Sequence, residues 1–151
     1  MIFIRWIDVY VDGVTEYCCS TDVFEIYEAM DIPIQEVRED SFILQGNEAI
    51  YVRDFFDTEI VFIKENLPFK FKKYILAHEL GHAILHTEVF SAAYNKSSTN
   101  KGKLERQADY FAFKLLDVEI DSVGYQGFTK AQIASALYIK EELLEYVRKV
   151  K

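Results

Sequence analysis

Residues 69–86 read FKFKKYILAHELGHAILH and contain the pattern His-Glu-x-x-His at His78, Glu79 and His82. Residues four apart lie one above the other on a helix face, so both imidazoles can reach one cation. The carboxylate of Glu79, next to the first histidine, can hold a water molecule and take its proton. The stretch therefore predicts a metal site on a helix, with His78 and His82 as ligands and Glu79 as the catalytic base.

A catalytic zinc ion takes three protein ligands and a water, so the two histidines need a third partner. The chain has one further histidine, His86. It cannot join the other two, because three imidazoles at this spacing span ~12 Å of helix axis whereas a Zn–N bond is ~2.0–2.1 Å. We therefore expect His86 to support the site from outside the ligand shell or to serve the fold, and we expect the third ligand to be a carboxylate.

The predicted third ligand is Glu105, near the start of the second helical stretch, LERQADYFAFKLL at 104–116. The polar, glycine-containing segment 91–103 is read as a loop that lets this helix turn back beside the first. Asp109 follows Glu105 by four residues on the same face, where its carboxylate can accept the far N–H of a ligand histidine. Weaker candidates for the third ligand are Glu65, Glu88 and Asp117.

Gly81 lies inside the metal-binding pattern, where a helical glycine costs roughly 0.5–1 kcal/mol relative to alanine. Two interpretations are open. Either the position is a tolerated glycine, or a side chain there would obstruct another element that packs close to the metal. Because Gly81 lies within the predicted site, we favour the second interpretation.

Short runs rich in β-branched and aromatic residues predict a small sheet around this helix. Strands are predicted at 2–11, 41–45, 48–52 and 59–64, with a weak hairpin signal at Asp12-Gly13 and a two-residue hairpin turn at Gly46-Asn47. Helix starts are predicted at the capping residues Asp22, Asn66 and Thr129, with Pro68 in a first turn and the last segment forming one long helix or two short ones. The expected fold class is α+β, with a small, mostly antiparallel sheet packed against the His-Glu-x-x-His helix and further C-terminal helices.

The composition points to one domain that does not act mainly on nucleic acid or a membrane. The chain has 151 residues, half of them apolar, and 17 basic against 25 acidic side chains give a net charge of −8. An acidic protein is a poor match for polyanions, and no apolar run approaches the ~18 residues of a membrane span. Cys18 and Cys19 are adjacent and favour ordinary thiols in the reducing cytoplasm. The opening MIFIRWID, broken by Arg5 and Asp8, predicts no secretion signal.

The C-terminal segment 129–151 does not carry the basic stripe of a DNA-binding element. Five basic residues minus three acidic residues give +2, too little for direct contact with nucleic acid. Its apolar positions are better explained by packing on the domain or on a partner. They are Ile133, Leu137, Leu144 and Val147.

The two helical stretches together resemble the ImmA/IrrE family of bacterial and phage metallopeptidases. That family shares an HELGHxxLH helix and a second helix that begins with the ligand Glu and continues as Ala-x-x-Phe-Ala-x-x-Leu-Leu. The second pattern is met here by Ala108, Phe111, Ala112, Leu115 and Leu116. The resemblance is sharp over 68–116, and the upstream IYEAMDIPIQEV is similar to the family's short N-terminal helix and following strand.

The resemblance implies a zincin-like α+β fold in a single domain over 1–151, with 129–151 as a helical tail. It implies His78, His82 and Glu105 as Zn²⁺ ligands and Glu79 as the general base or acid. The family position that matches Asp109 is often Asn, so its orienting role rests on geometry alone. Family members are paired with helix-turn-helix repressors of phages and integrative elements and inactivate them by cleavage.

The resulting expectation is a cytoplasmic, zinc-dependent endopeptidase whose partner is a protein substrate, a helix-turn-helix repressor. Such an enzyme also needs a donor to the oxyanion of the transition state, for which the candidates are Tyr94, Tyr110 and Arg106. For each of them the alternative, which we favour, is ordinary packing or solvation. The alternative is a binding module that grips a repressor or a toxin–antitoxin partner without hydrolysing it, with a structural or vestigial zinc site.

Overall fold

The computed structural model of the protein describes residues 4–96, 102–121, 123–146 and 148–150, the last three as backbone only. The α-helices within these ranges are α1 Ile7–Cys18, α2 Val23–Ala29, α3 Phe69–Leu85, α4 Lys103–Leu115 and α5 Lys130–Leu137. The strands are β1 Ile34–Val37, β2 Ala49–Phe55, β3 Thr58–Lys64, β4 Ser91–Tyr94, β5 Glu119–Asp121 and β6 Arg148–Val150. Two 3₁₀ helices lie at Phe42–Leu44 and Glu141–Tyr146.

Four strands form the main sheet in the order β1-β3-β2-β4. Strand β1 runs parallel to β3, while β2 is antiparallel to both β3 and β4. One face carries the most deeply buried residues of the sheet, because Ala49 and Tyr51 of β2 lie beside Ile63 and Val61 of β3. Ile50 and Val52, which alternate with them in β2, are half-buried. Strands β5 and β6 form a separate parallel pair. The predicted α+β class, with a small and mostly antiparallel sheet, is confirmed.

Helix α3 is the centre of the domain. Every residue from Tyr74 to Ala83 is buried, and the helix packs against α4 on one side and β2 on another. A helix without an exposed face belongs in a core, where its polar side chains need partners within the protein. The predicted helix at 69–86 is therefore present, and the His-Glu-x-x-His pattern lies in its most buried part.

The N-terminal prediction of a strand at 2–11 is wrong, because residues 7–18 form helix α1. The buried residues of α1 are Ile7, Val11 and Val14, a spacing of four and three that places them on one helical face. Asp12-Gly13, taken as a turn signal, lies inside the helix. Packing of that apolar face on α4 outweighs the strand preference of β-branched residues, which depends strongly on context.

The predicted strand at 41–45 is also absent. Phe42–Leu44 is a 3₁₀ helix, and the Ser41 hydroxyl caps it by accepting the backbone N–H of Ile43 at 3.3 Å. Gly46-Asn47 therefore leads from this short helix into β2 and does not close a hairpin. A serine cap of this kind competes locally with strand formation.

The hairpin of the sheet joins β2 to β3, which correspond to the predicted strands 48–52 and 59–64. Phe55 lies opposite Thr58, so only Phe56 and Asp57 form the turn. Both have positive φ angles, 50° and 65°, as a type I′ turn requires. The sequence signal for this turn is weak, because Asp57 is a residue that tolerates the left-handed conformation but Phe56 is not.

Two of the three predicted helix caps are present. The Asp22 carboxylate accepts the backbone N–H groups of Phe24 and Glu25, and Thr129 forms a reciprocal capping box with Gln132. Asn66 does not cap α3; the residue before that helix is Pro68, which makes no side-chain cap.

Two further segments refine the predictions for the second half of the chain. Residues 91–94 of the predicted loop 91–103 form β4, an edge strand paired with β2, and residues 97–101 lie outside the described part. The C-terminal segment is two short elements, because Tyr138 takes the left-handed conformation and ends α5 before the second 3₁₀ helix.

Within the described ranges, no helix combines the length and apolarity needed to cross a membrane.

Candidate metal centre

His78, Glu79 and His82 meet on the buried surface of α3. Their potential ligand atoms all lie within 4.8 Å of one another, and the most exposed of the three residues, His82, is only 3% exposed. In the described part of the chain, Nε2 of each histidine and both oxygens of Glu79 make no hydrogen bond of acceptable geometry. Leaving such atoms buried and unpaired is costly. A cation placed among them would satisfy them, so the residues present fit a metal ion.

Glu105, on the first turn of α4, closes the site from the opposite side. Its Oε2 lies 3.0 Å from Nε2 of His78, and its Oε1 lies 3.2 Å from Nε2 of His82. Two atoms bonded to the same tetrahedral zinc ion at ~2.0–2.1 Å are ~3.3 Å apart, so these separations suit a shared ion. The carboxylate that the fold brings to both imidazoles is thus Glu105, not one of the weaker candidates Glu65, Glu88 and Asp117.

Gly81 allows α4 to approach this closely. A Cβ atom at position 81 would lie 3.1 Å from Cβ of Phe111, 3.2 Å from Cα of Ala108 and 3.3 Å from its carbonyl oxygen. These atoms belong to α4, two of them to its backbone, so they cannot move without shifting the helix that carries Glu105. The interpretation of Gly81 as a point of close helix packing is confirmed.

We expect Gly81→Ala to destabilise the protein and weaken metal binding. Overpacking typically costs about 1–3 kcal/mol, more than the ~0.5–1 kcal/mol that alanine gains over glycine in a helix. Urea unfolding of the metal-free protein and a competitive zinc titration measure the two effects. The matched control is Gly13→Ala in α1, where the new Cβ meets nothing within 4 Å and should be neutral or stabilising. Equal stability of the Gly81 variant and wild type would contradict the packing argument.

Asp109 lies behind His78 and is 2% exposed. Its Oδ1 is 2.8 Å from Nδ1 of His78 and accepts the hydroxyl of Tyr74 at 2.6 Å. Its Oδ2 lies 2.6 Å from the ammonium of Lys140, which follows α5. A carboxylate at Nδ1 holds the proton of His78 there and leaves Nε2 free to face Glu105. Asp109 therefore stands where the sequence predicts an orienting residue.

We expect Lys140→Met to destabilise the protein, because it removes the lysine ammonium that contacts Oδ2 of Asp109. Loss of a partner from a buried charged acceptor costs about 1–3 kcal/mol. The lower end of that range applies here, since the Lys140 side chain is 30% exposed and partly screened. Urea unfolding measures the change, with the exposed Lys130→Met as the control. A shift no larger than that of the control would show that the ion pair contributes nothing.

His82 is supported by a different set of residues. Its Nδ1 lies 2.9 Å from Nδ1 of His86, and Nε2 of His86 lies 2.8 Å from Oε1 of Gln107 on α4. All three residues are at most 9% exposed. His86 thus contacts a predicted ligand from outside, in agreement with its expected supporting position. The partner Gln107 was not predicted.

Burial and the neighbouring carboxylates give the metal-free site an unusual charge distribution. Burial raises the pKa of Glu79 to about 8, although the charge of His78 opposes this. Burial lowers the pKa of His78, but the neighbouring carboxylates of Asp109 and Glu105 more than compensate and raise it to about 10. Burial lowers the pKa of His82, and Glu105 opposes this in part. The pKa of Glu105 is held low by both histidines, against the effect of its own burial. The directions of these shifts show that the carboxylates around His78 favour positive charge at the position where a cation would bind.

Two cavities border the centre, and both include Ala93 of β4 and Glu105 in their lining. A cleft of about 1200 Å³ is bordered by Tyr94, Glu105, Tyr138 and Lys140, among other residues. A smaller cavity of about 560 Å³ reaches His82 and shares Ala93 and Glu105 with the cleft. An extended peptide could therefore reach the centre from the solvent.

The three candidates for an oxyanion donor lie in different environments. The ring of Tyr94 is 5.1 Å from that of His78, and Tyr94 borders the larger cleft. The Tyr110 hydroxyl instead donates to Asp8 of α1 at 2.8 Å, so it does not serve the centre. Arg106 is exposed to solvent. Of the three, Tyr94 is the one placed beside a predicted ligand.

Two comparisons with known proteins identify relatives of the chain. The peptidase M78 family, described as an IrrE N-terminal-like domain, matches residues 30–148. The metallopeptidase ImmA of Bacillus subtilis strain 168 is 31% identical over 134 residues, which cover 84% of this chain and 75% of the relative. No solved structure matches the chain significantly.

Proposed function

Because the chain belongs to the ImmA/IrrE family of metallopeptidases, we propose that it is a zinc-dependent endopeptidase that cleaves a helix-turn-helix transcriptional repressor of a phage or integrative element. The observation that carries the metal-dependent part is the meeting of two buried Nε2 atoms with the Glu105 carboxylate, beside an unpaired Glu79. Two imidazoles and one carboxylate form the ligand set of a catalytic zinc site that keeps a fourth position open.

In this proposal His78, His82 and Glu105 hold the ion. When bound there, the ion would supply Lewis acidity toward a peptide carbonyl and would lower the pKa of water toward ~7. Asp109 keeps the Nδ1 proton of His78, so that its Nε2 stays free for the metal. This set of nitrogen and oxygen donors suits zinc better than calcium or magnesium, because those two ions prefer sites made of oxygen ligands alone.

Glu79 carries the proton transfers. Its carboxylate has no side-chain hydrogen-bond partner among the described residues and lies beside the ligand atoms, where it can take a proton from the attacking water. It then returns this proton to the leaving amine as the peptide bond breaks. Tyr94, at the border of the cleft, is proposed to donate to the oxyanion as charge develops there.

The repressor substrate is supported by the family, whose members are paired with helix-turn-helix repressors. The open cleft and the smaller cavity that border Glu105 are consistent with an extended protein substrate. A repressor acts on DNA in the cytoplasm, so the proposal also places the protein there.

The test is to incubate the purified protein with helix-turn-helix repressors from the same genome, with and without a zinc chelator. We expect fragments of one repressor that vanish with chelator and return when zinc is added back. Stable binding of an intact repressor, with no fragments at any zinc concentration, would instead favour the alternative of a non-hydrolytic binding module with a structural or vestigial zinc site.

A further inference from the structure

We propose that Gln107 is a positioning residue for zinc binding, which acts through His86 to hold the ring and the proton of His82 in the state that a metal ligand requires. The inference rests on the zinc site of the proposed function. It concerns a residue outside the set of ligands and general base, and it explains why a third buried histidine lies where it cannot reach the same ion.

The contacts form one unbroken line from α4 to the metal-facing atom of His82. Gln107 Oε1 lies 2.8 Å from Nε2 of His86, and Nδ1 of His86 lies 2.9 Å from Nδ1 of His82. On the far side of its ring, Nε2 of His82 faces Glu105 at 3.2 Å. Every nitrogen of the two rings is therefore directed at a particular partner.

The order of protons along this line follows from the chemistry of imidazole. To bind a metal through Nε2, a neutral His82 must carry its proton on Nδ1. His86 must then accept that proton at its own Nδ1, which leaves its proton on Nε2. That N–H needs an acceptor, and Oε1 of Gln107 supplies it. The chain of donors runs from His82 to His86 to Gln107.

The orientation of the Gln107 amide determines the direction of the hydrogen bonds between Gln107, His86 and His82. If its NH₂ group faced His86, each proton would have to shift along the line, and Nε2 of His82 would become protonated. A protonated Nε2 cannot bind zinc. An acceptor at position 107 therefore favours the metal-binding form of His82, and a purely apolar side chain there favours neither form.

Helix α4 thus supports the two imidazoles by different means. Asp109, a carboxylate, holds the proton of His78 directly, whereas the neutral Gln107 holds that of His82 through an intervening ring. Asp109 and Gln107 both lie on α4, the helix that also carries Glu105. The position of α4 against α3 therefore determines the placement of a predicted ligand and of both orienting side chains.

The experiment compares zinc affinities, measured by chelator competition, of wild type, Gln107→Met, Gln107→Glu and the control Gln35→Met. Removing an outer partner of a ligand typically costs 10–100-fold in metal affinity, so we expect a loss of about that size for Gln107→Met. Gln107→Glu keeps an acceptor and should match or exceed wild type. The exposed Gln35 should tolerate methionine without effect.

Equal affinity of Gln107→Met and wild type would overturn the inference, and so would a loss in Gln107→Glu as large as that in Gln107→Met. A second measurement requires no variant: ¹⁵N NMR of the zinc-loaded wild-type protein should show His86 protonated at Nε2 and bare at Nδ1. The opposite tautomer would also overturn it. A wild-type protein that binds no zinc would instead refute the proposed function, so the two failures are distinguishable.

Discussion

Replacing Glu79 with glutamine should abolish peptide cleavage and leave zinc binding intact. The substitution preserves the size and polarity of the side chain but removes the group that accepts and returns a proton. General acid–base groups contribute roughly 10²–10⁴-fold to rate, and here one group serves both transfers, so we expect a loss at the upper end or beyond. Repressor cleavage measures the effect, and zinc analysis of the same samples is the control.

Cleavage by the Glu79→Gln variant at the wild-type rate would remove Glu79 from the mechanism.

The variant also tests the buried charge in the metal-free protein. Burial raises the pKa of Glu79 from 4.5 to about 8, so the folded state favours the protonated form. Stability that is present below the unfolded pKa is lost as the pH rises through the folded value. Wild type should therefore lose stability relative to the variant between about pH 4.5 and 8.

The second large effect is expected from Glu105→Gln, which should lower zinc affinity by more than the 10–100-fold typical of an outer partner. The physical reason is the double contact: each carboxylate oxygen of Glu105 faces the Nε2 atom of one histidine. An amide offers a single weak oxygen ligand and no negative charge to balance the ion. Chelator competition measures the affinity, and cleavage should fall with it at limiting zinc.

Two matched variants test whether the effect belongs to position 105. Glu65→Gln and Glu88→Gln remove one negative charge each from carboxylates that the sequence alone leaves as weaker candidates. Neither should change zinc affinity beyond a small nonspecific shift. If Glu88→Gln reduced affinity as strongly as Glu105→Gln, the assignment of Glu105 as third ligand would be wrong.

The sequence was most informative where local helix geometry determines the outcome. The spacing of His78 and His82 requires no tertiary information, and the structure places their rings 5.0 Å apart. Glu105 is distant in sequence and is predicted because the chemistry demands a third ligand and because the family resemblance places one there. Its partner on the same face, Asp109, followed from the spacing of four.

Gln107 and Lys140 could not be found in this way. Residues two apart do not share a helix face, so no spacing argument connects Gln107 with Glu105. Its role depends on the angle at which α4 crosses α3. Lys140 reaches Asp109 from a different part of the chain, and nothing in its local sequence distinguishes it from other lysines.

The errors in the fold have a common cause. Residues in α1 have strand-like composition but helical spacing of their buried positions, so composition and spacing predict different structures there. For β4 the reverse holds, because SAAY has little strand preference and becomes a strand through its pairing with β2. In both segments the tertiary partner determines the secondary structure.

The close contact of α3 and α4 at Gly81 has a thermodynamic consequence. Each helix contributes only part of the proposed ligand set, so an ion bound between α3 and α4 would hold the two helices together. Binding free energy then appears as folding free energy, and it grows with the concentration of free metal. Metal supply would therefore influence the lifetime of the protein as well as its chemistry, because an ion shared by the two central helices would hold them together.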